Sequence, residues 1–64
     1  MPEVYVHFVK GRPLEQKRAL VKDLTDAVVR NLGVPIEAVI VELVETEPVS
    51  KAKGGVLFSE MPGR

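Results

Sequence analysis

Met1 is followed by Pro2, a small residue of the kind after which an initiator methionine is commonly removed, and removal leaves a secondary amine on a rigid ring. Such an amine is a base. An α-amino group titrates near pKa 7.7–8.0, roughly, and burial beside a cation lowers that toward neutrality by disfavouring the ammonium form. Other chemistry-bearing side chains are sparse. His7 is the one histidine and stands in an alternating apolar stretch, where a half-buried strand position accounts for it. Cysteine is absent, which excludes a thiol nucleophile, a thiolate metal site and a disulfide framework. No serine comes with a histidine and an acid. Glu42, Glu45 and Glu47 carry the charge to hold a hard cation, yet a solvated acidic strand end explains them better, so no metal and no cofactor are expected. Gly54-Gly55 is too short for a phosphate loop. Lys51 and Lys53 beside it read as solubilising charges, with anion binding as the lesser alternative.

Local structure must place these groups. Residues Val4 to Val9 are β-branched or aromatic, with Val4, Val6 and Phe8 on one face of a strand and Tyr5, His7 and Val9 on the other. Gly11 ends the strand. Pro13 then opens a helix, because its fixed φ suits the first turn and its missing N–H has no helical partner there, and Glu15 sits favourably near the positive helix end. Leu14, Val21, Leu24, Val28 and Leu32 recur at helical spacing, flanked by Leu20 and Ala27, while Glu15, Lys22, Asp26 and Arg30 face water. Gly33 supplies a left-handed cap, and Pro35 blocks continuation. Val39 to Val44 form a second strand with apolar residues on both faces. Strand, helix and strand predict a β-α-β unit with parallel strands, an α+β fold whose helix covers one sheet face only. The other face, with Tyr5 and Ile40, is expected to meet another subunit. After a polar loop from Glu47 to Ala52 and a Gly54-Gly55 turn, Val56-Leu57-Phe58 predict a short C-terminal β segment suited to pairing with a neighbouring chain.

Sixty-four residues allow one domain, 1–64. Nine basic against nine acidic residues give zero net charge, so no nucleic acid or anionic membrane partner is expected. The longest apolar run, Ala38 to Val41, falls far short of the roughly 18 residues of a membrane span, and a soluble cytoplasmic protein is expected. A chain this short buries only about 60% of its unfolded surface and is marginal alone. With disulfides and zinc excluded, self-association is the remaining common support. Composition agrees: 45% of residues are hydrophobic but only 5% aromatic, which suits many Val and Leu side chains meeting flat surfaces on other chains.

Taken in order, Pro2, a strand, Lys10-Gly11-Arg12, Glu15-Gln16-Lys17 opening one helix, Pro35 before the second strand, and Gly54-Gly55-Val56-Leu57 closely resemble the 4-oxalocrotonate tautomerase family over essentially the whole chain. The resemblance implies a tautomerase whose amino-terminal proline, Pro2, is a general base moving a proton on small unsaturated 2-hydroxy or 2-oxo acids. It implies that Arg12 anchors the substrate carboxylate, that Val9, Ile40 and Lys51 stand at substrate-binding positions, and that the chain is a homo-oligomer, a hexamer, with sites near subunit boundaries. Two positions depart from the family pattern. Counting from the shared proline before strand two, the family's second arginine, which polarises the substrate carbonyl, falls on Ile40, and its pocket aromatic falls near Lys51. Alternative functions are hydration or dehalogenation of an unsaturated acid, and a catalytically silent oligomeric module that binds small acids.

Overall fold

The structure, a computed structural model, describes residues 1–62. Strand β1 spans Glu3–Val9, helix α1 Leu14–Leu32 and strand β2 Ile40–Thr46. A hairpin of β3 (Ala52–Lys53) and β4 (Val56–Leu57) follows, with 3-10 turns at Ile36–Ala38, Pro48–Ser50 and Phe58–Glu60. Strands β1 and β2 pair in parallel with α1 as the crossover, as the sequence predicts, in a register that sets Glu3 opposite Ile40 and Val9 opposite Thr46.

Each end of α1 follows from its local sequence. Pro13 stands at the N-cap with φ −69°, and its carbonyl accepts from the N–H groups of Gln16 and Lys17 at 3.1 and 3.3 Å. At the other end Gly33 takes φ +67°, which a residue without Cβ adopts freely, and its N–H returns to the Val29 carbonyl at 3.0 Å.

The second strand lies later than the predicted Val39 to Val44. Val39 is committed to the preceding 3-10 turn, its N–H donating to the Ile36 carbonyl at 3.2 Å, so pairing starts at Ile40. It runs on to Thr46 because β1 keeps offering partners: the Lys10 N–H donates to the Thr46 carbonyl at 2.9 Å. The polar loop after it contains a 3-10 turn opened by Pro48. The Val56-Leu57-Phe58 segment begins at Val56 as expected and ends one residue earlier, at Leu57. Only Val56 and Leu57 are extended, and they pair antiparallel with Ala52 and Lys53 of the same chain across Gly54-Gly55. Phe58 turns away into the next 3-10 turn, its N–H donating to the Lys51 carbonyl at 2.7 Å.

The lone chain does not enclose a core. Among the described residues no side chain is fully buried, and Tyr5, Ile36, Ile40, Val49 and Val56 are all exposed. The radius of gyration is 14.9 Å, against about 11 Å for a compact chain of this length. Accessible surface is 4835 Å², against about 4000 Å² for a compact monomer of 7.0 kDa. Apolar residues exist to fill a core, but the fold spreads them over 43 × 23 × 14 Å. Among the described residues no helix is long and apolar enough to cross a membrane.

Candidate active site

Because β1 and β2 are parallel, their first residues share one end of the sheet and their last residues the other. Pro2 and Ile40 lie together at the first end, where the Ile40 N–H donates to the Pro2 carbonyl at 3.0 Å. That bond fixes the proline backbone and leaves the ring nitrogen side toward the terminus, where Met1 is 83% exposed. Val9, Lys10, Gly11 and Arg12 lie at the second end. Gly11 makes the bend there with φ +133°, a conformation closed to most side chains. Six strand steps of about 3.3 Å separate the two ends, about 20 Å in all. One chain therefore does not bring its own Pro2 and Arg12 to one small substrate.

Arg12 is exposed and forms no ion pair among the described residues. It borders two cavities. One, of about 460 Å³, is lined by Phe8, Val9, Lys10, Gly11, Arg12 and Phe58. The other, of about 330 Å³, lies on the helix side of β1, between Val6, Phe8 and Leu20 with Arg12, Gln16 and Lys17 at its polar edge. The first unites Val9 and Arg12, two of the site residues expected from the sequence. Lys51 reaches it indirectly: its ammonium lies 5.8 Å from the centroid of the Phe58 ring, which is part of the wall. Phe58 was not singled out by sequence reasoning. The available signal was an aromatic residue directly after a Gly-Gly hairpin, and the extended conformation expected there hid its turn toward Arg12.

The carboxylates at the end of β2 differ in their surroundings. Glu45 faces the helix and accepts from the Lys17 ammonium at 2.7 Å, both side chains little more than a quarter exposed. Glu47 pairs with Lys10 at 3.1 Å in an exposed position. Glu45 is thus held by a lysine in a partly covered position, whereas Glu47, though paired, stays exposed at the strand end as the sequence leads one to expect. Lys17 also borders the smaller cavity, so its pairing tethers α1 to the end of β2 beside Arg12. Lys17→Met leaves Glu45 charged and largely covered, which costs about 1–3 kcal/mol. Lys22→Met, at the exposed Lys22–Asp26 pair one helical turn on, costs under about 0.5 kcal/mol. Chemical denaturation of both variants at one protein concentration should show this order, and equal losses would mean that Glu45 is solvated as freely as Asp26.

On the open sheet face, Tyr5 donates its hydroxyl to Glu3 at 2.6 Å, with Glu42 opposite in the register. The hydrogen bond to Glu3, then the charge of that carboxylate, hold the phenol above the ordinary tyrosine pKa, with smaller contributions from desolvation and Glu42. Tyr5 therefore stays neutral across the physiological range. His7, Ile40 and Val44 share this face, and no part of the same chain's helix covers it.

A β-α-β subunit with a proline at the outer end of its first strand, an arginine without an ion pair among the described residues beyond the other end, and a C-terminal hairpin is the arrangement that the sequence resemblance leads one to expect of a tautomerase-type chain. The family described as "Tautomerase enzyme" matches residues 2–61, and the chain belongs to it. A probable tautomerase of Bradyrhizobium diazoefficiens is 43% identical over 60 residues, covering 94% of this chain and 90% of the relative. The 2-hydroxymuconate tautomerase of Pseudomonas putida is 33% identical over 61 residues, covering 95% and 97% of the two chains. A crystal structure of a 4-oxalocrotonate tautomerase homologue superimposes with a TM-score of 0.92 at 46% identity, covering 98% of this chain and all of that one. These likenesses support a tautomerase or isomerase activity.

Proposed function

We propose that the chain, once Met1 is removed, isomerises small unsaturated 2-hydroxy or 2-oxo acids with the Pro2 amine as the base. The observation that carries this reading is the end of β1. Pro2 is held by its carbonyl on Ile40, while Met1 projects outward from the lone chain. The free nitrogen takes a proton from the enol end of the conjugated acid and returns it to a carbon further along the chain. Enol becomes ketone, and the proline ends as it began. A single group that accepts and then donates is what this reaction needs, and the amine acts best when its pKa is near the working pH.

Arg12 holds the substrate carboxylate, since it is the unpaired cation of a cavity whose other walls, Val9 and Phe58, are apolar enough for a short hydrocarbon chain. The cavity volume of about 460 Å³ suits a small acid. Because Pro2 and Arg12 stand at opposite ends of the sheet, the working site takes them from different copies of the chain. Association also covers the open sheet face and the projecting hairpin, and a homohexamer is the assembly implied by the family resemblance. The chain acts as one domain throughout.

Processed protein, with the loss of Met1 verified by mass, should convert 2-hydroxydienoic acids to their 2-oxo isomers. Absence of turnover on a panel of mono- and dicarboxylic enols would remove the enzymatic reading. A second reading, a silent module that binds small acids, is favoured by Ile40, where a family member carries arginine. A guanidinium there acts on charge that develops at the carbonyl oxygen in the transition state, so its absence lowers turnover more than binding. One charge-assisted hydrogen bond is worth about 1.5–3 kcal/mol, or roughly 10-fold to 150-fold in rate. Ile40→Arg should raise kcat by an appreciable part of that range. Glu3 lies opposite in the register and competes for the new guanidinium, so Ile40→Arg combined with Glu3→Gln should gain more. No gain in either correctly assembled variant would mean that another group already serves the carbonyl.

A further inference from the structure

Most lysines with a defined partner in this chain are paired with a carboxylate. Lys10 meets Glu47 at 3.1 Å, Lys17 meets Glu45 at 2.7 Å and Lys22 meets Asp26 at 2.8 Å. Lys51 differs from them. It is half-buried, has no carboxylate partner among the described residues, and lies with its ammonium 5.8 Å from the centre of the Phe58 ring. The two residues are also joined through the backbone, the Phe58 N–H donating to the Lys51 carbonyl at 2.7 Å. The ring in turn lines the cavity that holds Arg12. Among the described residues one cavity is thus attended by two cations without counter-ions, one on its wall and one over an aromatic ring of that wall, in a chain whose net charge is zero.

An ammonium near the outer limit of cation–π range is held weakly, and a carboxylate is a stronger partner for it. The lysine stem has the rotors to make that exchange. Phe8, Val9 and Phe58 supply the apolar part of the cavity wall, beside Gly11 and the Glu47-paired Lys10, and apolar surface of that kind suits a conjugated carbon chain. We propose that Lys51, parked over Phe58 beside the Arg12 cavity, is a specificity-determining residue that receives the second carboxylate of a dicarboxylic substrate whose first carboxylate is on Arg12. The assignment rests on the reading that this cavity is the substrate site. It differs from supplying a catalytic charge at the carbonyl, because Lys51 acts on the far end of the substrate and changes binding, not the chemical step.

The test uses the assembled, Met1-free protein and two enol substrates of the same chain type, a 2-hydroxydienedioate and the 2-hydroxydienoate that lacks the distal carboxylate. Lys51→Met keeps the stem and removes the charge. It should lower kcat/KM for the dicarboxylate about 10-fold to 150-fold more than for the monocarboxylate, mainly through KM, and Lys51→Arg should restore most of the preference. Phe58→Leu, which removes the ring but keeps bulk, should weaken the same discrimination with less effect. Equal losses on both substrates, or a loss confined to kcat, would overturn the assignment. Calorimetric titration with saturated dicarboxylates and monocarboxylates of equal length separates this proposal from the catalytic one. A dicarboxylate preference that Lys51→Met abolishes, in a protein that turns over neither enol, would sustain Lys51 and sink the Pro2 base. Turnover of both enols with no charge preference in wild type would do the reverse.

Discussion

Protein whose amino terminus is blocked, by an uncleaved extension before Pro2, is expected to lose roughly 10²- to 10⁴-fold in tautomerase turnover, the range a positioned general base contributes. In a blocked chain the Pro2 nitrogen is a tertiary amide, its lone pair delocalised into the carbonyl, and it cannot accept a proton at any working pH. Pro2→Ala also removes most of the activity, though less than the block does. Its product still carries a free primary amine after methionine removal, but one on a flexible residue. Turnover should therefore rank processed wild type first, Pro2→Ala second and the blocked chain last. Assembly should be the same in all three, because the bond from the Ile40 N–H reaches the carbonyl of Pro2, not its nitrogen. In wild type, activity should fall on the acid side as the amine becomes protonated. Equal turnover by blocked and processed protein, measured by the conversion of a 2-hydroxydienoate, would exclude the amine as the base.

Local rules carried much of the fold. The helix from Leu14 to Leu32 was legible because Pro13, the apolar spacing and Gly33 all specify it within a few residues. Parallel pairing followed from chain order, since a strand, a helix and a strand leave little choice. The exposed face was legible in Tyr5 and Ile40, apolar positions that a single helix could not cover. What escaped depended on individual hydrogen bonds that side-chain pattern does not specify, some local and one between distant segments. Whether Val39 opened a strand or closed a turn was decided by its bond to Ile36, and whether Phe58 stayed extended was decided by its bond to Lys51. Neither choice has a strong propensity behind it. Glu45 looked like a solvated acid because its partner, Lys17, is 28 residues away, on the helix. Of the candidate site residues, Val9 and Arg12 line one cavity, while Pro2 lies at the other end of the sheet. The separation of Pro2 from Arg12 was also implicit in the sequence, because a strand of seven residues between them has a fixed length. Its meaning emerges once the parallel partner is placed, with Ile40 beside Pro2 and Thr46 beside the Arg12 end.

That separation leads to the second large effect. A chain with Pro2→Ala and a chain with Arg12→Ala should each be nearly inactive when assembled alone, and mixed assemblies of the two should regain activity. In an oligomer where one copy supplies the base and another the anchor, a site is intact when its base comes from the Arg12→Ala chain and its anchor from the Pro2→Ala chain. Random mixing at equal amounts meets both conditions in about a quarter of sites, so the mixture should reach about a quarter of wild-type kcat per site. Both substitutions leave the surfaces that hold the copies together in place: Pro2 keeps its backbone bond to Ile40, and Arg12 has no ion pair to lose among the described residues. Subunits must be unfolded and refolded together, because a chain with no fully buried side chain among its described residues has little stability outside its assembly and does not exchange as a free folded monomer. Sedimentation of the refolded mixture should show one species far heavier than 7.0 kDa. Activity no greater than the sum of the two parents, in an assembly shown by mass spectrometry to contain both chains, would mean that base and anchor act from the same chain. The hairpin or the strand end would then have to move by most of the sheet's length to bring them together.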